Sequence, residues 1–401
     1  MTEIAERLEE LRDRGLYRRL RLISGPQGPR VTLDGQPVLL LCSNDYLGLA
    51  NHPRVRGAAA EAAMRWGAGA GASRLISGNM QPHGRLEDRL ARFKGYESAL
   101  LFGSGYLANT GTIAALAGEG TVVFSDELNH ASIIDGCRLS RAETFVYRHG
   151  DTEHLAWGLR EAGGRGSLIV TDGVFSMDGD LAPLPRLVEL ARDHGCKLMV
   201  DEAHATGAVG PGGRGSVAAA GLSGEVDVVM GTLGKALGSY GAYVCAGREL
   251  TDYLTNTARS LIFSTAPPPS VAAAGLAALE LLESRPHRLE ELHANAATLR
   301  SALAAQGLTT SASQTQVIPM QIGDAQLTMA LSERLLERGV FAQGIRPPTV
   351  PEGTSRLRFT VMSTHRAEEL ERAAETVGSA ARELGIPAGQ AASAVPTAIA
   401  A

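Results

Sequence analysis

The sequence predicts an α/β fold: a large domain with a mostly parallel seven-stranded sheet flanked by helices, a smaller C-terminal α/β domain and an N-terminal helical arm. The main observation is that short apolar runs alternate with helix-length segments between residues 98 and 247. Such alternation is typical of a parallel sheet with both faces covered. The second observation is a change after residue 283, where long helices alternate with two strands, as in a smaller α/β domain.

The individual elements follow from the same periodicity. Strands of the large sheet are predicted at residues 99–103, 121–125, 143–147, 167–171, 197–201, 226–230 and 242–246. Helices are predicted between them at 106–118 and 183–195. In the C-terminal part we expect helices at 288–307 and 327–340, and strands at 317–323 and 355–362.

The ends and connections of the chain set the domain boundaries. Residues 1–21, with interleaved Glu and Arg, are predicted to form one charged amphipathic helix. The proline-rich stretch 266–269 precedes an alanine-rich helix that we expect to connect the two main parts. The predicted segments are therefore an arm at 1–45, a large domain at 46–282, a small domain at 283–385 and a low-complexity tail at 386–401.

Composition excludes several classes of protein. The 401 residues carry a formal net charge of −5, so the positive charge of a nucleic-acid binder is missing. No apolar run has the length of a membrane span, and the N-terminus lacks the apolar core of a signal peptide, so we expect a cytoplasmic protein. The four scattered cysteines indicate reduced thiols, and no metal site is expected, since metal-ligand motifs are missing.

One lysine stands out because of its position. Residues 231–241 read GTLGKALGSYG, so Lys235 lies in a glycine-rich turn directly after the apolar run 226–230. Tightly packed backbone around a lysine at a strand end does not suit a solvated surface charge. We therefore interpret Lys235 as a functional amine.

Other chemically capable residues follow neighbouring predicted strands. They are Ser176, His130, Asp201 with His204, Thr232, and the glycine turn of residues 103–108. A parallel sheet brings its carboxyl ends to one edge, where ligands bind. A lysine, a buried carboxylate and helix N-terminal phosphate donors are what pyridoxal 5′-phosphate (PLP) needs for covalent attachment, ring-nitrogen protonation and anchoring. The sequence therefore predicts a PLP site.

Three other motifs compete with this prediction. The turn GSGYLA matches a dinucleotide fingerprint, with Asp126 at the end of the next strand, and keeps an NAD-dependent dehydrogenase as a remote alternative. The DEAH of residues 201–204 lacks the P-loop that a nucleotide-driven helicase requires. A serine hydrolase is excluded because no GxSxG motif occurs.

The sequence resembles the α-oxoamine synthases, which are fold-type I PLP-dependent transferases, from about residue 4 to 385. The matching motifs are SNDYLGLANHP, GAGASRLISGN, HGRLEDRLARFKG, LFGSGYLANTG, DELNHASIIDG, DGVFSMDGDLAPL, VDEAHATGAVGPGGRG, GTLGKALGSYGAYV and IRPPTVPEGTSRLRFTV. The resemblance is greatest to the biotin-pathway branch, which condenses L-alanine with a pimeloyl thioester of coenzyme A or of an acyl carrier protein. Glycine-using members, such as glycine C-acetyltransferase and 5-aminolevulinate synthase, stay open as alternatives.

The resemblance also implies roles for individual residues. Lys235 would attach the cofactor and move the substrate Cα proton, Asp201 would hold the ring nitrogen, His204 would bond the phenolic oxygen, and His130 would stack on the ring. Further cofactor contacts would come from Gly105, Tyr106, Ser176 and Thr232, and from Ser264 and Thr265 reaching the phosphate of the other subunit in a homodimer. Substrate contacts would come from Arg18, Asn44, His130, Thr349 and Arg358, with Arg356 as the rival of Arg358 for the amino-acid carboxylate.

Overall fold

The computed structural model of the chain describes residues 2–310, 313–387 and 389. Its strands are β1 (Ile23–Ser24), β2 (Arg30–Leu33), β3 (Gln36–Leu40), β4 (Ser98–Phe102), β5 (Val122–Asp126), β6 (Glu143–Tyr147), β7 (Gly166–Asp172), β8 (Lys197–Asp201), β9 (Val228–Thr232), β10 (Ala242–Ala246), β11 (Val317–Gly323), β12 (Val340–Phe341), β13 (Gln343–Ile345) and β14 (Ser355–Thr360). Its α-helices are α1 (Thr2–Asp13), α2 (Pro53–Trp66), α3 (Gln81–Lys94), α4 (Gly105–Leu116), α5 (Ala131–Ser140), α6 (Thr152–Glu161), α7 (Leu184–His194), α8 (Ser216–Ala219), α9 (Arg248–Thr257), α10 (Arg259–Ile262), α11 (Pro269–Ser284), α12 (His287–Ala305), α13 (Ala325–Glu337) and α14 (Ala367–Glu383).

The seven strands predicted for the large sheet form one sheet in the order β4-β10-β9-β8-β7-β5-β6. The strand β10 runs antiparallel to both of its neighbours, and the other neighbouring pairs are parallel. This confirms the predicted fold class. The observed bounds differ from the predicted ones by no more than two residues, because the apolar runs end where the chain must turn.

Side chains of the central strands alternate between two separate cores. On β8, Leu198 and Val200 pack with residues of α6 and α7 such as Leu187. Met199 packs on the opposite face, with residues of α4 and α5 such as Ile113. Since successive residues of a strand point to opposite faces, a fully apolar strand requires helices on both sides.

Three parallel strands deliver polar residues to one edge of this sheet. The strands β7, β8 and β9 end at Asp172, Asp201 and Thr232. Asp172 and Asp201 are direct neighbours in the register of β7 and β8. The predicted gathering of strand ends is therefore present, and it places two carboxylates side by side.

Contacts divide the chain into two compact units, Asn44–Leu292 and Met1–Ser43 with His293–Ala401. The predicted arm at 1–45 does not form a separate unit, because β3 pairs in parallel with β12 and joins a sheet of order β1-β2-β3-β12. In the same unit β11, β14 and β13 form an antiparallel sheet. The predicted tail at 386–401 lies outside the described residues, apart from 386, 387 and 389.

Two helix predictions require correction. The predicted helix at 1–21 ends at Asp13, because Gly15 turns the chain with a φ of 64°, in the left-handed region that glycine adopts readily. The alanine-rich α11 does not connect the two units; it lies inside the larger one, where it packs against α2 and α3. Among the described residues, no helix combines the length and apolar character that crossing a membrane requires.

Candidate active site

Lys235 lies at the centre of a short chain of hydrogen bonds. Its Nζ is 2.7 Å from Nε2 of His204, and Nδ1 of His204 is 2.6 Å from the hydroxyl of Tyr46. The Tyr46 hydroxyl in turn donates to Oδ1 of Asn44 at 3.1 Å. Lys235 is half-buried, while Tyr46 and His204 are buried. The predicted residues Lys235, His204 and Asn44 are therefore brought together.

One proton arrangement satisfies all three of these contacts. If Tyr46 donates to Asn44, its oxygen accepts from Nδ1–H of His204, and Nε2 of His204 accepts from Lys235. A neutral His204 in this tautomer has a defined ring orientation. In this arrangement His204 Nε2 accepts a hydrogen bond from the Lys235 amine.

Asp201 is the buried carboxylate of the site. Its Oδ2 accepts a hydrogen bond from the Asn109 side-chain amide at 2.7 Å, and its Oδ1 accepts from the Ala203 backbone N–H at 2.8 Å. Asn109 also donates to the Ser132 hydroxyl at 2.9 Å. These donors fix the carboxylate at the end of β8, so its orientation does not depend on a bound ligand.

His130 lies at the start of α5, close to these charges. Its backbone N–H donates to Oδ2 of Asp172 at 2.8 Å, and its Nδ1 accepts from the backbone N–H of Ser132 at 3.2 Å. Burial lowers the pKa of His130; the charge of Asp201 opposes this and that of Lys235 reinforces it. The ring is therefore neutral at pH 7, with its proton on Nε2, because Nδ1 accepts.

Asp172 behaves differently from its neighbour in the sheet. Burial, and next the charge of Asp201, raise the pKa of Asp172 well above its ordinary value, although the bond from the His130 N–H opposes the rise. This shift favours the protonated form of Asp172 over the charged one. The strand ends of β7 and β8 thus place a carboxyl group with a raised pKa directly beside Asp201.

The glycine turn opens a helix, as predicted. Ser104 caps α4 by accepting from the Leu107 N–H at 3.2 Å, and α4 begins at Gly105. The N–H groups of Gly105 and Tyr106 belong to the first turn, which leaves donors without intrahelical partners and favours a phosphate. The Tyr106 side chain is exposed and its hydroxyl donates to Asp135.

Asp126, the carboxylate that a dinucleotide site would need, makes hydrogen bonds to neighbouring loops. Both oxygens of Asp126 accept hydrogen bonds: Oδ1 from Leu128 N–H and His149, and Oδ2 from Gly150 N–H, each at 2.9 Å. Asp126 is also buried. Because Asp126 joins neighbouring loops through these hydrogen bonds, it is not placed as a ribose-binding carboxylate. Asp126 therefore does not support the dehydrogenase alternative.

The remaining predicted cofactor residues lie in loops of the same unit. Thr232 accepts from the Gly234 N–H at 3.1 Å and donates to the Gly241 carbonyl at 3.0 Å, which shapes the turn before Lys235. Ser176 is half-buried in the loop that follows β7. Thr265, beside Ser264, pairs with Ser73 across an isolated antiparallel bridge.

The predicted substrate arginines belong to the smaller unit. Arg18 donates to the Thr349 hydroxyl at 3.3 Å, so these two predicted residues are brought together. Arg356 and Arg358 are both buried on β14, and Arg356 donates from Nε to the Thr354 carbonyl at 2.9 Å. Arg358 is close enough to Cys42 for its charge to act on the pKa of that thiol.

The groups present fit PLP. A lysine amine, a buried and oriented carboxylate, a neutral imidazole and a helix N-terminus are the donors and acceptors that this cofactor uses. Asn109 Oδ1, buried beside Asp201, has no hydrogen-bond partner among the described residues, so an acceptor remains available there. Fold and donor set together define a fold-type I PLP-dependent transferase.

Comparison with known proteins agrees with this class. Residues 36–377 match the family model for aminotransferase class I and II. A serine palmitoyltransferase from S. paucimobilis, solved with bound PLP–myriocin, has a TM-score of 0.91 at 31% identity, covering 96% of this chain and 98% of that one. An 8-amino-7-oxononanoate synthase structure from Francisella tularensis has a TM-score of 0.75 at 28% identity, covering 87% and 99%.

The curated relatives narrow the assignment. The 8-amino-7-oxononanoate synthase of Geobacter sulfurreducens is 55% identical over 386 residues, covering 96% of this chain and 99% of the relative. The chain therefore belongs to the aminotransferase class I and II family and, within it, to the 8-amino-7-oxononanoate synthase family. PLP is its cofactor.

Three residues of the site were missed in the sequence. Tyr46 and Asn109 lie within the motifs SNDYLGLANHP and LFGSGYLANTG, but a buried Tyr or Asn is recognised as functional only by what it contacts. Asp172 did have a signal, because it ends an apolar run as Asp201 does. Strand order, which makes β7 and β8 neighbours, was needed to recognise the pair.

Proposed function

We propose that this chain catalyses the PLP-dependent decarboxylative condensation of L-alanine with a pimeloyl thioester. The products are 8-amino-7-oxononanoate, carbon dioxide and the free thiol of coenzyme A or of an acyl carrier protein, in biotin biosynthesis. The observation that carries the proposal is the Lys235 amine, held 2.7 Å from His204 in a chain 55% identical to a synthase of this name. L-Alanine and the thioester are the expected partners.

Lys235 and Asp201 carry the acid–base part of the reaction. When bound, PLP supplies an electron sink for the negative charge that develops at the alanine Cα. Lys235 takes the Cα proton and later returns one. Asp201, fixed by Asn109 and by the Ala203 N–H, keeps the ring nitrogen protonated, which requires its charged form.

His130 and His204 orient and polarise the reacting groups. The Nε2 proton of His130, implied by the acceptor role of Nδ1, can be donated to the thioester oxygen. Its neutral ring suits stacking on the cofactor, since no charge must be desolvated. His204, held by Tyr46, presents Nε2 toward the Lys235 amine, and it would bond the phenolic oxygen of bound PLP.

The phosphate and the substrate carboxylates need anion donors. Gly105, Tyr106, Ser176 and Thr232 would serve the phosphate, helped by the dipole of α4. Arg358 would bind the alanine carboxylate through its planar guanidinium, with Arg356 as its rival on the same face of β14. Arg18 and Thr349, which contact each other, would bind the acyl substrate. Asn44 would be a further substrate contact.

The active enzyme would be a homodimer in which Ser264 and Thr265 reach the phosphate of the other subunit. The bridge between Ser73 and Thr265 supports this, because it joins two segments with exposed apolar side chains, Ile76 and Phe263. Large exposed apolar side chains that cluster are typical of an interface. The four free cysteines agree with a cytoplasmic location, where thiols are kept reduced.

The test is a substrate panel on purified holoenzyme. The protein is mixed with pimeloyl-coenzyme A, pimeloyl carrier protein, or a short-chain or long-chain acyl-coenzyme A. The amino acid is L-alanine, glycine or L-serine, and thiol release and product mass are followed. We expect 8-amino-7-oxononanoate from L-alanine. Turnover only with glycine would assign the chain to a glycine-using relative, and turnover only with L-serine and a long-chain thioester would favour the serine palmitoyltransferase branch.

A further inference from the structure

A buried ion pair lies behind the catalytic loop that follows β8. The Lys94 ammonium, at the end of α3, contacts the carboxylate of Glu202, and the two side chains are only 2% and 0% exposed. Glu202 directly follows Asp201, and His204 comes two residues later. The pair therefore lies within the segment that carries two of the cofactor-binding groups.

All three protons of the Lys94 ammonium and both oxygens of the Glu202 carboxylate take part in hydrogen bonds. Lys94 also donates to the Thr206 hydroxyl at 3.1 Å and to the Arg214 carbonyl at 2.5 Å. Glu202 accepts from the Ser216 hydroxyl at 2.9 Å and from the Val217 N–H at 2.7 Å. A buried charge pair satisfied in this way resists displacement, since moving either group leaves the other desolvated and unpaired.

The surrounding backbone leaves no room for Glu202 to move. A Cβ added at Gly215 would clash with the Glu202 carboxylate, and the φ of Gly215 is 105°. The Glu202 backbone N–H donates to the Met230 carbonyl of β9 at 2.7 Å, and its carbonyl accepts from the Thr206 N–H at 2.9 Å. Side chain and backbone of Glu202 thus fix the loop from both sides.

We propose that the Lys94–Glu202 pair positions Asp201 and His204 for the cofactor, so that Lys94 and Glu202 are positioning residues of the reaction. Neither side chain reaches solvent or the Lys235 amine, so they act through the loop of residues 201–206. Because successive side chains of a strand end alternate, Glu202 points away from the site when Asp201 points into it. The inference rests on the PLP chemistry proposed above.

The test compares three variants of the full-length protein with a control of reduced stability. Glu202→Gln and Lys94→Met each leave one member of the pair uncompensated. In the double variant, the carboxamide introduced by Glu202→Gln keeps an acceptor for Ser216 and Val217 and offers its NH₂ to the former Lys94 acceptors. Leu159→Ala, in a core helix that contacts α7, β5 and β6, lowers stability without touching the loop.

Cofactor affinity and the pH midpoint of the visible absorption of bound PLP are the readouts. We expect each single variant to lose PLP affinity by on the order of 10- to 100-fold and to shift the midpoint, as outer-sphere partners do elsewhere. We expect the double variant to lie within about threefold of wild type. Leu159→Ala should keep both values while its unfolding temperature falls.

Wild-type affinity and midpoint in both single variants would overturn the proposal, even if their unfolding temperatures fell, because the pair would then be structural only. A Leu159→Ala protein that changed as much as the single variants would also overturn it. Failure of the proposed function looks different: wild type would yield no product from L-alanine, while the single variants still lost PLP affinity, which supports the positioning role.

Discussion

Two loops at the same edge of the large sheet are each held by a cation paired with carboxylates, but the two anchors differ in exposure to water. The β8 loop (residues 201–206) rests on the buried pair Lys94–Glu202. The β7 loop (residues 173–182), which carries Ser176, is tied to its surroundings by His149, whose ring nitrogens lie 2.9 and 2.8 Å from Asp126 and Asp180. The first is closed to water, whereas His149 and Asp180 are 24% and 35% exposed.

The two anchors therefore respond differently to pH. Burial by itself lowers the pKa of His149, but the hydrogen bonds to Asp126 and Asp180 outweigh it and raise that pKa to about 10. With both ring nitrogens donating to carboxylates, His149 is a cation. The loop of Asp201 and His204 is thus fixed by an ion pair closed to solvent, while the anchor of the loop that carries Ser176 depends on a proton.

Removing the Lys235 amine should give the largest effect. In Lys235→Ala we expect turnover to fall by on the order of 10⁴-fold, because the proton-transfer group is lost. Circular dichroism and the unfolding temperature should stay close to wild type, since Lys235 is half-buried and lies in a turn. Product formation at near wild-type rate would remove Lys235 from the mechanism.

The carboxylates that end β8 and β7 provide a matched pair of variants. In Asp201→Asn we expect kcat to fall by on the order of 10²–10³-fold, since the charge that holds the ring proton is gone. In Asp172→Asn we expect a change in kcat below about fivefold, because burial and the charge of Asp201 favour the protonated carboxyl, which the neutral amide matches in shape. Steady-state kinetics of both variants measures these changes in kcat. Equal losses of kcat would show that Asp172 is charged in the working enzyme.

The proton on His149 should appear in the pH dependence of stability. Its pKa is raised above the ordinary value of 6.5, so the stabilisation is complete below about pH 6.5 and is lost as pH rises toward 10. His149→Gln should unfold with about 1.5–3 kcal/mol less free energy at pH 7. In denaturant unfolding at pH 6, 8 and 10, the unfolding free energy of wild type should fall toward that of His149→Gln as pH rises. A constant difference between the two proteins across this range would contradict a charged His149.

The smallest effect is expected at the exposed arm of the same anchor. Asp180→Asn should cost about 0.2–1 kcal/mol of unfolding free energy, since a partly exposed ion pair is screened by water. Asp126 remains as the buried partner of His149, so most of the pH dependence should persist. The PLP affinity of this variant at pH 7 measures how far the β7 loop contributes to phosphate binding; a loss as large as that of Glu202→Gln would erase the distinction between the loops.

Much of the larger unit could be predicted because its strands are fully apolar. A strand buried on both faces has a strong local signal, and the residues that follow it mark the ligand edge. The smaller unit was predicted less well. Its sheet joins β3 to β12 across some three hundred residues, and no local pattern encodes such a pairing. The helix at 1–21 was overestimated because charge periodicity continued past Gly15, where the backbone turns.

The sequence by itself determined the α/β class and the use of PLP, and it predicted Lys235, Asp201 and His204 as cofactor residues, because each lies at or just after the end of an apolar strand. Only the tertiary structure decided that Asp172 lies beside Asp201 with a raised pKa, that Tyr46 and Asn109 contact His204 and Asp201, and that Lys94 pairs with Glu202. The reason is physical: burial, neighbouring charges and hydrogen bonds between distant segments set the pKa and the orientation of a side chain, and these arise only when β7, β8 and α3 come together.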